Sequence, residues 1–152
     1  MTTSERTSMY AAYLKEEGFS PTVNQYEDVE FKFEGLPCVI DIDHRDEEFF
    51  RIIVPNFFRV NDEDERALAL AAANSATVKV KVVKIMVVGD YAWASIEMFL
   101  ASPDAFKAVF RRSLRALQAG MRHFETHLSE DDGSGTQPAK DASATASGVL
   151  AA

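Results

Sequence analysis

His123 and His127 lie four residues apart, a spacing that puts two imidazoles on one helix face and is shared with helical metal sites. Glu125 falls off that face and no third ligand is evident. The pair therefore reads as surface histidines near a helix C-terminus, where the carbonyl end of the dipole suits a partly positive ring. Asp41, Asp43, Asp46, Glu47 and Glu48 surround His44. They share only charge with a calcium loop: no glycine stands at the sixth position and no glutamate closes the loop at the right distance. A solvated hairpin tip is the expectation. Cys38 alternates into an apolar face with no base beside it, so it is expected as a small core hydrophobe rather than a thiolate. No glycine-rich phosphate loop, nucleophile elbow or Ser/His/Asp pattern is present. No residue is assigned to catalysis, to a cofactor or to a metal, and the chain is expected not to be an enzyme.

The more informative pattern is aromatic. Phe49, Ile53, Tyr91, Trp93 and Phe99 share strand parities opposite to the residues expected beneath helices. On an open sheet they would form an apolar patch of the kind normally covered by a second subunit or a partner segment. The alternative is that the parity is reversed and these five belong to the core.

The elements that must position these residues follow from periodicity. Residues 4–17 predict a helix capped by Ser4, with Met9, Tyr10, Tyr13 and Leu14 on its apolar stripe and Gly18 ending it in a left-handed conformation. Residues 28–34 alternate, with Val29, Phe31 and Phe33 opposed to Glu30, Lys32 and Glu34. After a turn at residues 34–37, a second strand is expected over 38–43, with Cys38, Ile40 and Ile42 on one face. A third near 49–54 should end, or lie at an edge, at Pro55. A helix over 62–75 has Asn61 as its cap, four acids in its first turn and Asn74-Ser75 as its stop. A long strand over 77–88 needs a bulge near Val83-Lys84 to absorb a change of parity. The strand over 91–100 puts Ala92, Ala94, Ile96 and Met98 on the face where small residues let a helix lie. The strongest helical signal follows Ser102-Pro103: Phe106, Phe110, Leu114, Leu117, Met121, Phe124 and Leu128 step by three or four.

The order α-β-β-β-α-β-β-α predicts an α+β fold with one mainly antiparallel five-stranded sheet covered by helices on one face. Residues 1–128 form a single domain, and 129–152, rich in Ser, Gly, Ala, Asp and Thr, read as a disordered acidic tail. A chain of 152 residues with 47% hydrophobic content has one core, and its single cysteine excludes a disulfide framework. No apolar run approaches the roughly 18 residues a membrane span needs. The N-terminus shows no basic region followed by an apolar one, so a soluble cytoplasmic protein is the expectation.

The formal charge of −8 is uneven. Residues 1–75 carry −9, residues 76–127 carry +4, and residues 128–152 carry −3. The acidic whole argues against nucleic acid as a partner. The basic block (Lys79, Lys81, Lys84, Lys107, Arg111, Arg112, Arg115, Arg122) reads as a complement to the acidic half, within the fold or across a dimer. A nucleic-acid patch is the sharper alternative, but no stacking motif interleaves with these bases.

The segments YLKEEGF, DVEFKFEG, CVIDIDHRDEEFFRIIVP and AAANSATVKVKVVKIMVVGDYAWASIEMFL, with the long final helix, resemble the YbjN-type, type III secretion chaperone-like family of bacterial regulators. The likeness covers roughly residues 8–128 and places Asn74 just before the strand expected from Val78, as in that family's pattern. It implies an α+β fold and a homodimer. It also implies non-catalytic work: holding a partner polypeptide, or acting as an accessory regulator. The residues offered for that contact are Phe49, Ile53, Tyr91, Trp93 and Phe99. A small-molecule or enzymatic role in a groove between the last helix and the sheet is the alternative, motivated by Arg111 and Arg115 on that helix.

Overall fold

A computed structural model describes residues 1–133. Helix α1 spans Thr3–Glu16. Then come β1 (Thr22–Val23), β2 (Val29–Phe33), β3 (Leu36–Ile40), β4 (Phe49–Arg59), α2 (Glu63–Lys79), β5 (Val83–Val88), β6 (Tyr91–Phe99) and, after a 3-10 turn at Pro103–Ala105, α3 (Phe106–Gly133). All pairings in the sheet are antiparallel, and its order is β1-β2-β3-β4-β6-β5. The sheet has six strands rather than five, because residues 22–23 add a short edge strand that no alternation announces.

One strand parity faces the helices throughout. Val29 and Phe31, Cys38 and Ile40, Phe50, Ile52 and Val54, Val83 and Ile85, and Ala92, Ala94 and Ile96 are all buried. Against them lies the α3 stripe, in which Phe106, Phe110, Leu114, Leu117, Met121 and Phe124 are buried and Leu128 is half-buried. Each such side chain contributes about 1.5–3 kcal/mol by leaving water. Tyr10 of α1 packs edge-on to Phe106, with ring centroids 4.6 Å apart, which ties the first helix to the last. The alanine face of α2 (Ala69, Ala72, Ala73, Ala76) is buried against α3 and β5.

Close approach governs the joint between α3 and the sheet. A Cβ on Gly120 would lie 2.5 Å from Val83 Cγ1. Val83 is buried and β-branched, so it has little freedom to yield.

Several elements differ from expectation. The α1 cap is Thr2, not Ser4: Thr2 Oγ1 accepts from the Glu5 amide at 3.2 Å and Glu5 accepts in return from the Thr2 amide at 2.7 Å. The α2 cap is Asp62 rather than Asn61, and Glu65 reaches back to the Asn61 amide at 2.7 Å. Gly18 does take a left-handed φ of +90° after α1. Glu34 and Gly35 both have positive φ, so the β2–β3 turn is a two-residue connection and β3 starts at Leu36.

Pro55 does not end β4. The pairing of β3 with β4 stops at Val39 and Ile53, so beyond that point β4 has no ladder on that side and a missing amide proton costs nothing. The irregularity sits between Val54 and Phe58 opposite β6, not at Val83-Lys84.

The largest correction concerns residues 74–82. Helix α2 runs through Asn74 and Ser75 to Lys79, so Asn74 is inside a helix and Val78 does not start a strand. The alternation of valine and lysine at 78–82 is a helix end and a connector, with Val78 exposed to 73%. At the other end α3 continues past the composition change at Ser129 to Gly133, and the rest of the expected tail lies outside the described residues.

Gly120→Ala is expected to lower unfolding stability by about 1–2 kcal/mol despite alanine's better helix propensity, because overpacking outweighs the gain. Val83→Ala in the Gly120→Ala background should recover part of that loss, measured by urea denaturation as a double-mutant cycle.

Candidate functional site: the uncovered face of the sheet

No described helix covers the second face of the sheet. The five residues singled out in the sequence all lie on it, on β4 and β6. Phe99 is exposed to 77%, while Phe49, Ile53, Tyr91 and Trp93 are half-buried by their strand neighbours.

Register divides these five into separate groups. Phe49 is paired with Phe99, with ring centroids 5.9 Å apart. Six residues along β6 from Phe99, about 20 Å at the rise of an extended strand, stands Trp93. Trp93 is paired with Met86 of β5, and Tyr91 with Val88. Ile53 sits between the two clusters, paired with Val39 on β3 and Ser95 on β6. Met86, Val88 and Val39 were not anticipated. Val39 was legible from its parity, but the register of β5 was hidden by the misread connector before it.

A charged belt crosses the face between the aromatic clusters. Arg51, paired in register with Glu97, forms an ion pair with Asp41 and lies over the Phe49 ring, 5.6 Å from its centroid. Lys84 Nζ donates to Glu97 Oε2 at 2.6 Å, and Ser95 Oγ donates to Glu97 Oε1 at 2.9 Å. Burial alone would raise the Glu97 carboxyl, but the hydrogen bonds from Lys84 and Ser95 outweigh it and hold the group below its ordinary range. Ser95 is fully buried under this network, although it is on the open face.

The edges of this face are unequal. On β5, the outward amide of Ile85 donates to Thr77 Oγ1 of α2 at 3.0 Å. That hydroxyl leaves less free backbone for a further strand at β5. At the opposite edge β1 is two residues long. A shallow cavity of about 760 Å³ runs there, with Glu30, Lys32, Pro37, Val39 and Pro55 among its walls.

The remaining chemical candidates are held in structural contacts. His123 is turned toward α2, with Nε2 3.1 Å from Ser75 Oγ. His127 Nδ1 lies 3.5 Å from Asp131 Oδ2, one helical turn on. No group of three His, Cys, Asp or Glu side chains suited to a metal occurs among the described residues. The Cys38 thiol is buried and pushed up to about 12 by desolvation. In the acidic loop, Asp43 accepts from the amides of Arg45 and Asp46, which hold its carboxyl below the usual range. Arg6, 2% exposed, binds the carbonyls of Asp43 and Asp46 and so ties that loop to α1.

Of the basic block, Lys84 pairs with Glu97, Arg111 pairs with Glu17 at 2.6 Å, and Lys107 lies over Tyr13. Lys79, Lys81, Arg112, Arg115 and Arg122 make no ion pair or hydrogen bond with the described residues. No described helix is long and apolar enough to cross a membrane. No family model and no curated protein matches this chain.

Glu97 carries a lowered folded pKa, so its contribution to stability is complete above the ordinary glutamate range and fades as pH falls through the lower folded value. Glu97→Gln is therefore expected to flatten the acid limb of a melting-temperature profile below about pH 4.3 while leaving its slope near neutrality unchanged.

Proposed function

We propose that this chain is a non-catalytic, homodimeric protein-interaction module of the cytoplasm, with a chaperone-like fold and a role in holding a partner polypeptide or as an accessory regulator. The observation that carries the reading is the Phe99, Phe49, Trp93 and Tyr91 surface on a sheet face without a helical cover. Aromatic side chains of this kind supply contact energy at interfaces at low entropic cost. The charged belt of Arg51, Glu97 and Lys84 would set register between two copies, since wrong juxtapositions leave charges unpaired. Main-chain pairing with a guest strand is favoured at the β1 side, because Thr77 occupies backbone groups of β5.

A second reading, a small-molecule-binding or enzymatic domain using a groove between the last helix and the sheet, draws on a cavity that does lie there. Arg111 and Arg115, which motivated it, line a smaller cavity of about 140 Å³ between α3 and the end of β2 at Phe33, and Arg112 lines a larger one of about 580 Å³ between α3 and β6.

Light scattering is expected to give twice the 16.9 kDa chain mass for the wild type and about the single-chain mass for Trp93→Asp, with circular dichroism unchanged. A monomeric wild type, or a Trp93→Asp variant that stays dimeric and still retains the polypeptide bound by the wild type, sinks the sheet-face reading.

A further inference from the structure

The helix-covered side of the sheet contains a second site of different character. A cavity of about 580 Å³ opens where the connector from α2 to β5 crosses between α3 and β6. Its floor is apolar, formed by Ile96 and Met98 of β6 and by Val109 and Ala116 of α3. Val82 lines the mouth, 59% exposed and at a φ of 69°, a conformation β-branched residues seldom adopt.

The charged groups around this floor are all of one sign. Lys79, Lys81 and Arg112 line the cavity, no carboxylate does, and none of the three bases has a partner among the described residues. In a chain of net charge −8, three unpaired cations at one opening make a local anion-attracting field. Between them stands Ser113, only 5% exposed, which lines the cavity and makes no hydrogen bond with the described residues. That hydroxyl is open at the cavity wall and can donate to a ligand acceptor there. The larger cavity beside β1 lacks this single sign of charge, because it mixes Glu30 with Lys32.

We infer that this cavity binds a small amphipathic anion, an aliphatic or aromatic body carrying one carboxylate or phosphate. The body lies over Ile96, Met98, Val109 and Ala116. The head accepts from Arg112, Lys81 and the Ser113 hydroxyl. This gives the second functional reading a ligand class, and it holds or fails separately from the sheet-face proposal, because the cavity lies on the opposite side of the sheet from Trp93.

The test is a calorimetric titration of the full chain with decanoate, decyl phosphate, decanol and decyltrimethylammonium, each below its micelle concentration. Expected is saturable one-site binding of at least one of the two anions, with decanol at least about tenfold weaker and no saturation by the cation. A tighter decanoate isotherm identifies a carboxylate head, and a tighter decyl phosphate isotherm a phosphate head. Lys81→Ala with Arg112→Ala, both exposed and unpaired, should weaken the anion about tenfold or more and leave decanol unchanged. Ala116→Phe should block both anion and alcohol, and Trp93→Asp should block neither. The inference is overturned by no saturable anion binding, by decanol binding as tightly as both anions, by an isotherm indifferent to the Lys81 and Arg112 substitutions, or by loss of binding in Trp93→Asp.

Discussion

Alternation along β4 as far as Val54 and along β6, two neighbouring interior strands, is the constraint on which the rest of the molecule depends. Phe50, Ile52 and Val54 on one, and Ala92, Ala94 and Ile96 on the other, bury a single face. The alanines keep that face shallow enough for α3 to lie close, and Gly120 extends the same economy of space to Val83 at the sheet edge. Because α3 carries an unbroken apolar stripe from Phe106 to Phe124, it docks on this face in one orientation. α1 joins it through Tyr10, and α2 through its alanines.

What the helices leave open follows from the same alternation. Phe49, Arg51 and Ile53 of β4 and the odd-numbered residues of β6 lie on the face without a helix, and register sorts them into aromatic ends and a charged middle, whereas past the irregularity at Val54 the odd-numbered Phe57 packs on Phe124 of α3. The pairing of Arg51 with Asp41, and of Lys84 and Ser95 with Glu97, gives that face a polarity that a uniform greasy surface would lack. A belt of that kind limits non-specific association while leaving Phe99 and Trp93 available for the contact proposed above.

Charge is also distributed by use. In the acidic half, Asp43 binds loop amides and Arg6 gathers loop carbonyls, so that the segment around His44 is a structural turn tied to α1. In the basic half, Lys84 and Arg111 are consumed by ion pairs, and Lys79, Lys81 and Arg112 are left around one cavity. The basic block is thus partly an internal complement to the acidic half and partly a field without an internal partner.

Alternation over 29–33 and 91–99 and the seven-residue stripe of the last helix determined, by themselves, an α+β chain with helices on one face and an aromatic row on the other. These are local periodicities that every tertiary arrangement of the chain must respect. The length of α2 was decided by tertiary contact: Ala76 is buried and Thr77 bonds β5, which carries the helix past Asn74-Ser75 into residues whose valine–lysine alternation resembles a strand. Pro55 could stay within β4 only because the pairing of β4 with β3 had already stopped at Ile53. The sequence offered a groove between the last helix and the sheet, but not that Ser113, Arg112 and the residues before β5 would line it. The cavity is made by three successive segments from α2–β5, β6 and α3, and their meeting depends on a connector that periodicity assigned to a strand.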